Sequence, residues 1–410
     1  MLGAGFFGEF AYALLLIPLL QHYLVFGRHL SVGLPGYVLA AYGFARLLAQ
    51  VPLGGVADAI DHRLAVGIGY LTVLGAGLAL WAPLPAAGLL AAAAVFGLGH
   101  ALADPLIPAA LAAGVSADER GRVLGLLNLA QVVGLVTGLA GGAFVAALAP
   151  AADGFLLVAA ANALTLLLLI AGAASLLGRD TAKADDKPGA SMWRGLLAER
   201  VIDILAVLFL LTLAANLLVP DLSLFAVQRL HSSLYVLTLY LIPASLAGVA
   251  ALPAGGWLAD RYGRPLPLIG GAAVGAIAIA ALCYVRTPWE AGIAGVFGAA
   301  GLATTMPASN AALIDVADPE HRALLLSGMM AAQGSAEAVG PLLSGLLTQL
   351  GGAVLPFAGA AISLWLVVPG AVLFASAPHD GEPGEVVTYS PLTRFISRAN
   401  IRAHAWRETR

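Results

Sequence analysis

Few ionisable side chains interrupt the apolar runs of this chain, in which 60% of residues are hydrophobic and 10% charged. They are Glu9, Arg46, His100, Asp104 and Glu337. A charge in mid-bilayer costs about 2.5–3.5 kcal/mol on insertion scales, so each is a functional candidate by default. His100 and Asp104 stand four apart and share a helix face. A carboxylate beside an imidazole, both partly desolvated, can exchange a proton near neutral pH. At 1.5 Å per residue, Glu9 lies about 10 Å and Arg46 and Asp104 about 15 Å from the end of their runs. Two chemistries fit: a proton-exchanging site on Glu9, Asp104 or both, with His100 assisting, or a structural brace in which Arg46 pairs with Asp104 or Glu337.

The elements that must position these residues are membrane spans. With a mean hydropathy of +0.92, no water-soluble surface is possible. Runs long enough to cross a bilayer fall near 3–26, 37–57, 64–85, 87–114, 123–149 and 154–177, then near 200–226, 233–259, 265–286, 289–314, 322–349 and 353–375. The first lacks a basic n-region and is broken by Glu9, so it reads as a spanning helix rather than a cleaved leader. The expectation is an all-α integral membrane protein of twelve helices in two six-helix bundles, 1–177 and 200–376. A polar linker at 178–199 joins them and a tail follows at 377–410. From Ser390 and Pro391 the tail pattern fits a cationic amphipathic helix on the bilayer surface. Arg63, Arg120, Arg122, Arg261, Arg264 and Arg322 fall in loops on the linker's side, against Arg28, Arg229 and Arg286 opposite. The positive-inside rule then makes both termini cytoplasmic.

One half of the chain is a copy of the other. An offset of 202 residues superposes Gly54 to Arg63, GGVADAIDHR, on Gly256 to Pro265, GWLADRYGRP, and with them Pro18 on Pro220, Pro105 on Pro307, Arg120 on Arg322 and Gly138 on Gly340. Internal repeats of membrane-length runs are a transporter architecture.

The spacing Gly256-x-x-x-Asp260-Arg261-x-Gly263-Arg264 resembles the signature between the second and third helices of each half in the major facilitator superfamily. The resemblance implies that family's fold, with spans 1, 4, 7 and 10 lining a central cavity. It implies an inner latch in which Asp58 faces Arg322 and Asp260 faces Arg120 and Arg122. The first copy departs from the pattern at Ala59 and Asp61. The same charges could merely fix topology. Gly125, Gly134, Gly138, Gly141 and Gly142 in the fifth span, with Gly340-Pro341 in the eleventh, resemble the glycine-rich motif of drug antiporters in the superfamily, and they suit tight helix packing equally. Asn216, Thr304, Thr305, Ser309 and Asn310 would give the second half a hydrogen-bonding cavity wall, unless they bond to their own backbone.

A P-loop, a metal-ligand cluster, a nucleophile elbow and a nucleic-acid motif are all absent from the sequence, and Cys283 is the single cysteine. The expectation is therefore a non-enzymatic secondary transporter without cofactor, driven by a proton or other ion gradient. Its partners are a small-molecule substrate and the bilayer, and it is a monomer of a bacterial cytoplasmic membrane. Proton-coupled export of a small organic compound leads. Uptake or facilitated diffusion of a metabolite, or a non-transporting receptor on the same fold, are the alternatives.

Overall fold

A computed structural model of the chain describes residues 2–15, 19–59, 62–113, 115–148, 151–176, 199–316 and 322–376. The expected linker (apart from Glu199) and the tail with its amphipathic helix lie outside these residues. The described residues are almost wholly helical. The first half comprises α1 (Leu2–Leu14), α2 (Leu34–Ala59), α3 (His62–Trp81), α4 (Ala86–Ala103), α5 (Leu106–Ala113), α6 (Ala117–Leu148) and α7 (Ala151–Leu176). The second comprises α8 (Glu199–Leu218), α9 (Leu234–Tyr262), α10 (Pro265–Leu282), α11 (Pro288–Val316), α12 (Arg322–Gly351) and α13 (Leu355–Ser376). α4 and α5 share one span, broken beside Pro105, where a ring without an N–H interrupts the ladder. Short helical turns apart, the described residues thus form twelve long helical segments.

By length and hydropathy alone, eight stretches of the described residues qualify as spans, and one of them, Ser327–Val372, runs through both α12 and α13. α1, α2 and α7 are the helices outside these stretches. α2 carries Arg46, Gln50 and Pro52 inside its length, and α1 is 13 residues long, with separate π-helical turns at His22–Gly27.

The repeat is expressed in local structure as well as in order. The seventh span also ends in π-helical turns, Phe225–Arg229. Just beyond each set stands a histidine in the left-handed region, His29 at φ 53° and His231 at φ 48°, again 202 residues apart. Few residues other than glycine accept that conformation, histidine among the more tolerant. Arg28 donates to the Leu84 carbonyl and Arg229 to the Cys283 carbonyl, each at 2.9 Å, so both halves tie the end of one span to the end of another in the same way. We call this end of the molecule the π face, and the end carrying residues 58–63 and 260–264 the turn face.

Within the first half α1 packs on α6 and α7, α4 on α2 and α3, and α3 on α7; in the second, α8 packs on α12 and α13, α11 on α9 and α10, and α10 on α13. The two sets match span for span. The halves meet through α2 with α12 and through α6 with α9, pairs that a two-fold rotation exchanges. Large apolar side chains such as Leu48, Leu167, Ile277 and Trp365 are exposed on the periphery, as lipid contact requires.

Candidate functional site

Arg46 owes its place to two glycines. A side chain at Gly97 of α4 would strike the Tyr42 carbonyl and come within 3.2 Å of the Arg46 nitrogen, so its absence lets α4 lie directly on α2. On the other side of α2, a Cβ at Gly43 would stand 2.7 Å from the Ala338 Cα of α12. Arg46, one turn beyond Gly43, is therefore held between α4 and α12.

Its guanidinium serves both neighbours. Nη2 lies 3.4 Å from Asp104 Oδ2, just past the end of α4, and Nη1 lies 3.2 Å from Glu337 Oε2 on α12. Nη1 also donates to the Tyr42 hydroxyl at 3.4 Å. Tyr70 of α3 donates to the second Asp104 oxygen at 3.4 Å. Sequence offered Asp104 or Glu337 as the partner of Arg46; the structure has both, and the second pair joins the two halves.

These groups line a cavity of about 370 Å³ between the halves, together with Glu9 and Tyr12 of α1, His100, Ile107, Gln131 of α6 and Asn216 of α8. Glu9 makes no hydrogen bond or ion pair with a described residue. Three carboxylates thus face one guanidinium. His100 is buried, and its Nδ1 lies 3.0 Å from the Phe96 carbonyl. A carbonyl only accepts, so Nδ1 carries the hydrogen and Nε2 is left as the other ring nitrogen. The ring meets Tyr42 edge-on at 5.7 Å. His100 and Asp104 share the cavity as expected, but no hydrogen bond joins their side chains; only the Asp104 backbone N–H donates to the His100 carbonyl, at 2.9 Å.

The expected cavity wall of the second half is reduced to Asn216, whose Nδ2 donates to the Thr212 carbonyl at 2.9 Å. Thr304, Thr305 and Ser309 donate to carbonyls of their own helix at 2.7, 2.6 and 2.8 Å, and Thr305 and Ser309 are fully buried. Asn310 also lies away from the cavity, with its Oδ1 buried and unpartnered. Hydroxyls in a membrane helix satisfy themselves on the preceding turn when nothing better is near.

At the turn face, Gly263 ends α9 in the left-handed region (φ 88°) and swings Arg264 back towards the helix. Arg264 donates to Asp260 at 2.6 Å and to Asp315, at the end of α11, at 2.9 Å. Those two carboxylates, Asp315 foremost, raise the affinity of Arg264 for its proton above the usual arginine value. Arg261 instead lies over Trp257, 5.2 Å from the ring centroid. Asp260 was expected to face Arg120 and Arg122; here it pairs with Arg264, within its own half, because a helix end four residues away is always in reach. A Cβ added at Gly256 would meet Pro307 only at 3.9 Å, an ordinary van der Waals distance. Gly54, Asp58, Arg63, Arg120 and Arg322 fall in helical backbone whose side chains lie outside those described.

The π face is closed. A Cβ at Gly36 of α2 would stand 2.7 Å from the Gly345 Cα of α12, so the two backbones touch. Gln21 accepts from the Ser223 backbone N–H at 2.7 Å and donates to Asp221 at 3.5 Å. Sequence reading overlooked this polar knot and the tyrosines of the cavity. Tyr12, three residues after Glu9, and Tyr42, four before Arg46, were legible as neighbours on the same helix faces. Asp221 beside Pro220 offered only an acid near a span end.

The Major Facilitator Superfamily model matches residues 1–296 and 236–408, which together cover nearly the whole chain. The chain belongs to the Major Facilitator Superfamily. It is a membrane transporter by that membership, not an enzyme. The superfamily fold is also that of two solved structures. A POT family transporter in complex with 5-aminolevulinic acid aligns with a TM-score of 0.71 and 14% identity over 91% of this chain and 94% of that one. A POT family transporter in complex with a thioalcohol-conjugated peptide aligns with a TM-score of 0.67 and 15% identity over the same shares. No curated protein matches the chain in sequence.

Proposed function

We propose that the chain is a proton-coupled carrier that moves a small organic compound by alternating access. The observation that carries this reading is the sharing of Arg46 between Asp104 and Glu337, with Glu9 facing the same cavity uncompensated. A single cation cannot neutralise three carboxylates in a half-desolvated space. The surplus acids take up protons or a positively charged group of the substrate, and exchanging one for the other couples the two fluxes. Because the Arg46–Glu337 pair crosses between the halves, a change of charge at this site alters the force between them.

Direction rests on less. The glycine-rich fifth span favoured export at the level of sequence, but side chains at Gly134 and Gly138 would run into the Phe6 and Phe10 carbonyls of α1, so close packing within one half accounts for those two. Uptake is the second reading, favoured by the two structural neighbours, whose bound compounds are an amino acid and a peptide conjugate. The superfamily latch remains part of the reading, with Asp58 and Asp260 engaging the opposite half when the turn face shuts. A bacterial cytoplasmic membrane, with the turn face towards the cytoplasm, is the setting the basic loops suit.

Purified protein in sealed vesicles, challenged in turn with organic cations, neutral compounds and short peptides, tests the function. Movement of protons on addition of one of them is expected, and tracer flux of a compound without any proton movement would contradict coupling. Cells lacking the protein lose resistance to that compound if it is exported and lose its accumulation if it is taken up.

A further inference from the structure

Asp221 lies outside the cavity site, in the polar knot that closes the π face. It is 2% exposed, and its neighbours Gln21 and Ser344 are fully buried. The hydrogens in this knot can be counted. Ser344 Oγ is 2.8 Å from the Leu217 carbonyl and also bonded to Asp221 Oδ2. A hydroxyl has one hydrogen and a carbonyl has none. If Ser344 gives its hydrogen to Leu217, the bond to Asp221 needs a hydrogen from the carboxyl group. The other side of Asp221 is fixed as well. The Ser223 N–H points at Gln21 Oε1, which orients the amide so that its nitrogen donates to Asp221 Oδ1. A neutral Asp221 closes one continuous chain of donors, from Ser223 through Gln21, Asp221 and Ser344 to Leu217. An ionised one leaves a buried acceptor without a hydrogen.

The surroundings offer an ionised Asp221 no cation, and Thr348, the other hydroxyl beside it, gives its one hydrogen to the Ser344 carbonyl at 2.8 Å. Titratable or charged groups with described side chains on the elements packed around it are His22 and Tyr23 beside Gln21, Tyr37, Tyr42 and Arg46 on α2, Asp203 on α8, Arg229 in the π-helical turns after Asp221, and Glu337 on α12. No cation among them pairs with it: Arg46 is taken by Asp104 and Glu337, and Arg229 donates to the Cys283 carbonyl. A carboxylate buried without a cation is strongly disfavoured.

We propose that Asp221 is a proton-binding site separate from the cavity, occupied while the π face is closed, and that release of its proton opens that face. Its location gives it leverage. Gln21 and Ser223 are 202 residues apart, which makes them equivalent positions of the repeat. Equivalent positions can touch only near the two-fold axis, so the knot sits where the halves must part. Deprotonation removes one hydrogen from the chain and leaves a charge that only entering water can solvate.

The test is the separation of spin labels across the π face, at Ser31→Cys and Leu350→Cys, in the full chain in lipid with Cys283→Ser, followed over pH. Both label positions are exposed. The wild-type background is expected to shift from a short to a longer separation as pH rises. Asp221→Asn keeps the short separation at every pH, because its amide accepts from Gln21 and donates to Ser344 as the neutral acid does. Infrared spectra of the closed state should carry a protonated-carboxyl stretch that Asp221→Asn loses. An unchanging wild-type separation, an Asp221→Asn variant that shifts with pH as the wild type does, or a closure that follows sodium concentration at fixed pH would each overturn the proposal.

Discussion

Arg46 is the residue on which the cavity turns, and its loss has a calculable direction. Replacing it by Gln leaves Asp104 and Glu337 without their cation. Breaking a fully buried pair costs about 3–5 kcal/mol and an exposed one under about 1 kcal/mol. The Arg46 side chain is 31% exposed, so a loss of about 2 kcal/mol in unfolding stability is expected, measured by thermal unfolding in detergent. Adding Glu337→Gln should restore part of that loss, since one orphaned charge goes with it; a double variant less stable than Arg46→Gln would contradict the pairing. Sequence marked every charged member of this site, because charge within an apolar run is conspicuous. The partners of Arg46 could not be read, since they depend on how α4 and α12 lean on α2, which Gly97 and Gly43 decide. Thr304, Thr305 and Ser309 of α11 could not be placed for a related reason: hydroxyls that bond to their own helix look in sequence like those that face a cavity.

At the scale of elements, α2 and α12 form the contact that shuts the π face, with glycine against glycine at 36 and 345. Gly36→Val drives a branched side chain into the Gly345 backbone. Overpacking of this kind costs about 1–3 kcal/mol, enough to reduce the closed population by about ten-fold. The expected result is a longer label separation between Ser31 and Leu350 and slower substrate turnover at unchanged abundance. A short separation retained in Gly36→Val would show that the backbones do not need to touch. The number and order of these helices were legible in the sequence from the apolar runs. The π-helical ends of the first and seventh spans were not, because single-residue insertions into the hydrogen-bond ladder leave no mark on hydropathy.

For the whole molecule the repeat organises both fold and function. Helix pairings, π-helical ends and left-handed histidines recur in both halves. The site charges do not recur: 202 residues from Glu9, Arg46, Asp104 and Glu337 stand Leu211, Gly248, Met306 and Leu135. Symmetry builds the scaffold, and the chemistry lies where the symmetry is broken. The structure has its π face shut, with Asp260 held by Arg264 within one half. Closing the turn face in the alternate state requires Asp58 and Asp260 to reach the opposite half, so Asp58→Asn with Asp260→Asn should bias the protein towards the present state. Transport should fall at normal surface abundance, and unchanged transport would exclude the latch. If the surplus acids of the cavity couple protons to substrate, substrate-triggered proton flux in sealed vesicles must depend on them. Wild type is compared there with Glu9→Gln and Asp104→Asn. Proton movement is expected in the wild type and is lost in either variant while substrate still binds. Equal proton movement in all three proteins would contradict that coupling.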